Sequence, residues 1–257
     1  MTNMGKNMFD LSGRVAVVVG GAGGIGSACA MAMAEFGADI VIADCNLVGA
    51  QKVAADIEKQ GVRALALQVD ITNYAAVENM IQTAVKEFGH IDILLNNVAT
   101  TVRKPLMDTT LEEWNHVINV NLTAAYILSK VVGKEFMKNG KGKMIQIVST
   151  GGLRAGANFS AYGASKAGLI HLVKTLALEW APYKINVNAI APTATETNFT
   201  TDYYAQYPEK KAQTIQNHPF KRLGTPEDYA GAAVYLASAA SDFVNGEVIV
   251  VDSGKTV

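Results

Sequence analysis

The chain has 257 residues, 49% of them apolar, and 22 basic against 23 acidic side chains give a formal net charge of −1. That is ample apolar material for a core and too little basic charge for a nucleic-acid or anionic-membrane surface. Two cysteines, Cys29 and Cys45, exclude a disulfide framework and fit a reducing cytosol, and four scattered histidines offer no metal cluster.

Residues 1–14 lack the apolar core of a signal peptide. Residues 15–34 carry no charge and are long enough to span a bilayer, but five glycines interrupt them. Strand, glycine turn and helix is the better reading, so a soluble, cytoplasmic protein with no membrane partner is expected.

In chain order, 15–19 is a continuous apolar run of the kind a strand buried on both faces shows. The glycine-rich stretch 20–26 follows, then a helix over 27–36 ended by Gly37. A strand at 40–43 is closed by Asp44, and helix 47–59, strand 63–69 and helix 74–88 come next. A fourth strand, 91–95, delivers Asn96 and Asn97. One long helical region covers 111–137, a fifth strand 143–148, and a helix bearing Tyr162 and Lys166 runs to about Trp180. A sixth strand is expected at 185–190, a helix at 226–237 behind a Thr225 cap, and a last strand at 247–251. Residues 193–225 show no clear period, and segments of that length commonly act as lids. Tyr203, Tyr204, Tyr207 and Phe220 give this one something to bury. The alternation specifies an α/β fold of the doubly wound, Rossmann type, with about seven parallel strands and helices on both faces, in a single domain spanning 1–257.

Glycines between a strand and a helix permit a tight turn and leave helix N–H groups free to hold a pyrophosphate. Gly20, Gly24 and Gly26 are spaced G-x-x-x-G-x-G, with Ile25 among them. Asp44 lies 18 residues after Gly26. A carboxylate there accepts hydrogen bonds from a ribose diol and repels a 2′-phosphate, and no Arg or Lys occupies Gly23, Cys45 or Asn46. NAD is therefore expected over NADP.

In Tyr162-Gly163-Ala164-Ser165-Lys166, the phenol and the ammonium sit one helical turn apart on the same face. A neighbouring cation favours phenolate, so the pair is a candidate general acid/base unit. By itself that spacing is common in helices.

With the glycine turn, Asn96-Asn97, Ser149 and the Tyr162/Lys166 pair taken together, the chain resembles the short-chain dehydrogenase/reductases over nearly its whole length. The resemblance implies a catalytic set of Asn121, Ser149, Tyr162 and Lys166. It places Asp70 at the adenine, with Ile71 beside it, Asn96 along the adenosine ribose, and Pro192 and Thr197 at the nicotinamide carboxamide. Tyr162 phenolate would take the alcohol proton, its pKa held down by Lys166 and the nicotinamide ring. Lys166 would bind the ribose hydroxyls, Ser149 the substrate oxygen, and Asn121 a water leading from Lys166 to solvent. The family's Thr before the first glycine is Val19 here, Asn-Asn-Ala-Gly is Asn96-Asn97-Val98-Ala99, Pro-Gly is Pro192-Thr193, and Asp-Gly-Gly is Asp252-Ser253-Gly254. A homotetramer built on the 111–137 and Tyr162 helices is implied by the same resemblance.

Arg103, Lys104 and Arg154 all follow strand ends where substrates gather in open α/β sheets. Three cations at one mouth of a near-neutral chain point to an anionic small-molecule substrate. The run from Asn96 to Leu106 and the 231–246 region resemble the gluconate 5-dehydrogenase branch, which implies a hydroxylated carboxylate with Arg103 near its carboxylate and Arg154 as a second substrate residue. The alternatives are a 3-oxoacyl-thioester reductase and a non-catalytic dinucleotide-sensing regulator.

Overall fold

The computed structural model describes residues 7–257, so the first six residues of the segment read above as lacking a signal peptide lie outside it. Strands β1 (Val15–Val19), β2 (Asp39–Asp44), β3 (Ala64–Gln68), β4 (Ile93–Asn96), β5 (Gly142–Ile147), β6 (Ile185–Pro192) and β7 (Val248–Val251) form one parallel sheet. Their order is β3-β2-β1-β4-β5-β6-β7, and the architecture is the expected Rossmann-type fold.

Successive side chains of a strand point to opposite faces, and here both faces are covered. Ala16 and Val18 of β1 pack with Ile40 and Ile42 against α1 (Gly24–Glu35), α2 (Leu47–Glu58) and α9 (Ala230–Ala237). Val15, Val17 and Val19 face the other way, with Val41, against α3 (Tyr74–Phe88), α5 (Ala124–Asn139) and α6 (Ser160–Trp180). An uncharged run such as 15–19 is therefore core on both sides. Among the described residues no helix is long and apolar enough to cross a membrane.

Local chemistry sets the helix ends near the future site. Asn73 Oδ1 accepts from Ala76 N at 3.1 Å to start α3, and Gly89, at φ 88°, ends it. Thr110 and Glu113 make a reciprocal capping box at the start of α4 (Leu111–Ile118).

Two expectations are corrected. The 111–137 region is not one regular helix: a five-residue π turn, Asn119–Thr123, separates α4 from α5. Widened turns of this kind swing a side chain out of helical register, and here that side chain is Asn121. Residues 193–225 are not irregular either, for they contain α7 (Asn198–Gln206) and α8 (Pro208–Asn217). Thr197 caps α7 in a box with Thr200, and Pro208 opens α8 from its first position, where the missing N–H costs no bond. The expected 226–237 helix begins as a 3-10 turn, Pro226–Tyr229, held by a Thr225–Asp228 capping box.

Candidate active site

The sheet order reverses between β1 and β4, and the strand carboxyl ends on either side open into a cleft of about 840 Å³. One end is walled by Asp44, Cys45, Asn46, Asp70, Ile71 and Thr72, the middle by Gly20, Gly23, Gly24 and Ile25, and the other end by Ser149, Tyr162, Lys166, Pro192 and Thr197.

The glycine turn is built by steric need. Gly20 has φ 73°, a left-handed conformation that L side chains rarely adopt, and an added Cβ would press Val98 at 3.0 Å. A Cβ on Gly26 would stand 2.2 Å from Gly20 O, so only glycine lets the first turn of α1 pack on the loop. Beside them, a Cβ on Gly23 would meet nothing within 4 Å. Asn97 Nδ2 donates to Gly20 O at 2.9 Å, tying the loop after β4 to the turn after β1 without the hydroxyl that Val19 lacks. Asp44 Oδ2 accepts from Ala22 N at 3.0 Å and Oδ1 from Asn46 N at 2.9 Å, which fixes this carboxylate at the cleft end. Asp70 Oδ1 accepts from Thr72 N and Thr72 Oγ1, at 2.9 and 2.7 Å, and the Thr72 bonds hold its carboxyl below the usual carboxylate range. An elongated channel, a glycine floor with room above it, and carboxylates but no cation at one end fit an adenine dinucleotide.

At the other end, Ser149 closes β5 and Tyr162 opens α6. Gly152 brings them together: a Cβ there would lie 2.8 Å from the backbone carbon of Lys166. Ser149 Oγ accepts from Gly151 N at 3.0 Å, and the Ser149 side chain lies near enough to the Tyr162 phenol to lower its pKa. Lys166 is fully buried, donates to Ile147 O at 2.8 Å, and has its pKa lowered by burial to about 7. Strongly shifted groups gathered in one cleft are the mark of a reactive centre.

The expected electrostatics need correction. Burial raises the Tyr162 pKa, and what opposes it is the Ser149 hydrogen bond and then the charge of Arg103, not Lys166. The Lys166 ammonium is 5.9 Å from the ring centroid and bonded to Ile147 O, so the protein alone does not couple it to the phenol in the expected way. Asn121 also differs from expectation. It is 1% exposed, its Nδ2 donates to Thr100 O (2.9 Å) and Ser165 Oγ (3.0 Å), and its Oδ1 accepts from Thr100 N (2.8 Å). Both amide donors thus go to protein acceptors, which makes the side chain a brace between loop and helix. Asn96 is 2% exposed and bonded to Gln146 Oε1 and Val98 N, so its side chain is behind the cleft wall that Asn97 lines. Gly26 is likewise behind the wall, as a packing glycine.

A family model described as enoyl-(acyl carrier protein) reductase, one of the short-chain alcohol dehydrogenase set, matches residues 20–256. The chain belongs to the short-chain dehydrogenase/reductase family. It is 37% identical over 249 residues (96% of this chain and 97% of the relative) to a 2-dehydro-3-deoxy-D-gluconate 5-dehydrogenase of Dickeya dadantii. It is 36% identical over 250 residues, 97% of this chain and 96% of the relative, to an NAD-dependent glycerol dehydrogenase of Listeria innocua. Among solved structures, it superposes with a TM-score of 0.91 and 35% identity on a Beutenbergia cavernae protein provisionally described as an NAD(P)-dependent gluconate 5-dehydrogenase, with NADP bound at low occupancy. That match covers 97% of this chain and 99% of the other. As a short-chain dehydrogenase/reductase, this chain is an NAD(P)-dependent oxidoreductase acting on CH–OH groups.

Around the dehydrogenase centre, sequence reasoning placed some cations rightly and missed others. Arg103 and Arg154 line the cleft. Lys104 does not, because its ammonium pairs with Glu113. Lys210 of α8 and Lys255 of the C-terminal tail line it instead. The Arg103 guanidinium is stacked 4.0 Å over the Tyr203 ring and 5.2 Å from that of Phe159, and its buried Nε has no partner among the described residues. Phe199 of α7 sits 6.2 Å from the Tyr162 ring. The positions of Gly152 and Ser165 had no motif to announce them, since each acts by contact with a residue far along the chain.

Proposed function

We propose that this dehydrogenase reversibly oxidises a secondary alcohol of a hydroxylated, sugar-acid-like carboxylate, with NAD preferred, in the cytoplasm and as a homotetramer. The observation that carries the substrate class is the Arg103 guanidinium, in no ion pair among the described residues, held between Tyr203 and Phe159 and close enough to Tyr162 to act on its charge. A carboxylate on Arg103 would place the rest of an extended hydroxy acid along Ser149 and Tyr162. The names of relatives that act on 2-dehydro-3-deoxygluconate and, in description, gluconate support the same class.

In this reading Ser149 holds the substrate oxygen and stabilises its developing charge, and Tyr162 takes the hydroxyl proton on oxidation or returns it on reduction. When bound, the nicotinamide supplies the hydride acceptor or donor. Gly20, Gly24, Ile25, Asp70, Ile71, Pro192 and Thr197 would hold the dinucleotide, Asp44 would favour a free 2′-hydroxyl, and Lys166 would turn from Ile147 O to the ribose. Asn121 positions Tyr162 through Ser165, whose Oγ donates to Tyr162 O at 2.7 Å. Residues 193–225 act as the substrate lid of a single domain, since Phe199 and Tyr203 lie directly on Tyr162 and Arg103.

A spectrophotometric screen of sugar acids, polyols and 3-hydroxyacyl thioesters with NAD and NADP tests this. Sugar acids with NAD should give the highest kcat/KM. A neutral polyol turned over as well as gluconate, or a preference for NADP, would sink the corresponding part.

A further inference from the structure

The cleft's charges are sorted by end. Its lining carboxylates, Asp44 and Asp70, belong to the dinucleotide end, while Arg103, Arg154, Lys210 and Lys255 gather at the other. Among the described residues none of these four cations is in an ion pair. Arg103 is fixed by aromatic rings, but Arg154 is fixed by something else: its Nη1 donates to Lys255 O at 3.2 Å. The C-terminal tail is itself tightly folded. Asp252, 6% exposed, accepts from Gly254 N at 2.9 Å, from Thr256 N at 2.8 Å and from Thr256 Oγ1 at 2.7 Å, and Ser253 between them is at φ 58°. This hook holds the Lys255 carbonyl on the Arg154 guanidinium, with both side chains lining the cleft and that of Lys255 half-buried.

Burial lowers the Lys255 pKa first, the Asp252 charge raises it part of the way back, and Arg154, the smallest of the three influences, lowers it. Two cations kept together in a partly desolvated mouth are stabilised by an anion that meets both.

We propose that Arg154 and Lys255 form a second anion subsite, distinct from Arg103, so that the preferred substrate carries two anionic groups: a sugar acid with a second carboxylate or with a phosphate. This deepens the sugar-acid reading above and rests on it. Asp252 is the positioning residue that holds Lys255 in place.

Binding of gluconate, a hexarate diacid and 6-phosphogluconate is to be measured by calorimetry on the full chain saturated with NADH, where hydroxy acids bind without turnover. The wild type should bind one of the two dianions at least about tenfold more tightly than gluconate, the scale of one charge-assisted contact. Which dianion wins tells carboxylate from phosphate. Lys255→Met should shrink that ratio about tenfold and Lys255→Arg restore most of it, which a merely structural role for the tail would not do. Equal affinity for gluconate and both dianions, or a ratio untouched by Lys255→Met, overturns the second subsite and leaves the sugar-acid reading standing. Binding of no sugar acid at all overturns both.

Discussion

At the scale of single residues, the site is governed by two groups whose protonation the fold controls in opposite senses. Burial pushes the Tyr162 phenol up, with Ser149 and Arg103 working against it, so proton transfer depends on what else enters the cleft. Tyr162→Phe should lower kcat by at least about a hundredfold, the usual scale of general acid/base catalysis, with little change in unfolding temperature. Near-wild-type turnover in steady-state assays would refute the assignment. Lys166, lowered to about 7, makes a prediction about stability. Between pH 7 and the ordinary lysine value the unfolded chain binds this proton and the folded chain does not. Stability contributed through Lys166 therefore rises with pH across that window, with a slope approaching about 1.4 kcal/mol per pH unit, and is lowest below it. Urea unfolding of wild type and Lys166→Met should show the rise in the first and its loss in the second. Both residues were legible from their helical spacing. That the charge of Arg103 rather than that of Lys166 lowers the phenol pKa was not, because Arg103 comes from a loop far back along the chain while Lys166 is turned to Ile147 O.

At the scale of elements, the β1–turn–α1 unit is where sequence said most. Uncharged strand, left-handed glycine and close-packed helix start follow from sterics that no tertiary context overrides. Gly26→Ala should raise the KM for dinucleotide at least about tenfold and lower the unfolding temperature. The new methyl would stand 2.2 Å from Gly20 O, and overpacking against backbone typically costs about 1–3 kcal/mol. Unchanged cofactor KM would show that the turn can shift at no cost to binding. Other elements were hidden for identifiable reasons. Among its described positions α8 buries no residue and α7 buries only Thr200, so neither has an apolar stripe to read. The π turn at Asn119–Thr123 leaves the apolar period nearly intact while displacing Asn121. Asn97 was passed over for Asn96 because adjacent residues at a strand end face opposite ways, and one step of register decides which lines the cleft. Lys255 meets Arg154 across 101 positions of sequence, a pairing no local pattern encodes.

At the scale of the whole molecule, a net charge of −1 conceals an uneven distribution, with cations that join no ion pair among the described residues lining one mouth. Screening should therefore act selectively. Raising ionic strength from about 0.05 to 0.5 M shortens the Debye length several-fold and should raise the KM for an anionic sugar acid while leaving that of a neutral polyol nearly unchanged. Parallel salt titrations giving the same response for both would argue against a charged substrate. The helices named for the tetramer also carry exposed apolar side chains, with Leu111, Tyr126 and Leu178 at 73%, 50% and 81% exposure. Light scattering behind size exclusion should return about four times the 27.3 kDa chain mass; a monomer would end that proposal.

The brace formed by Asn121 has one more consequence. It clasps the backbone of Thr100 on one side and, through Ser165, the first turn of α6 on the other, so the loop that carries Arg103 is tied to the helix that carries the phenol, while the guanidinium itself rests on Tyr203 of α7. Grafting the 193–225 segment of another sugar dehydrogenase onto this scaffold would remove Tyr203, one of the two rings that hold the Arg103 guanidinium, so admission and charge placement should change together. If the proposed anionic substrate is right, re-targeting to an uncharged sugar has to change Arg103 and its Tyr203 platform together.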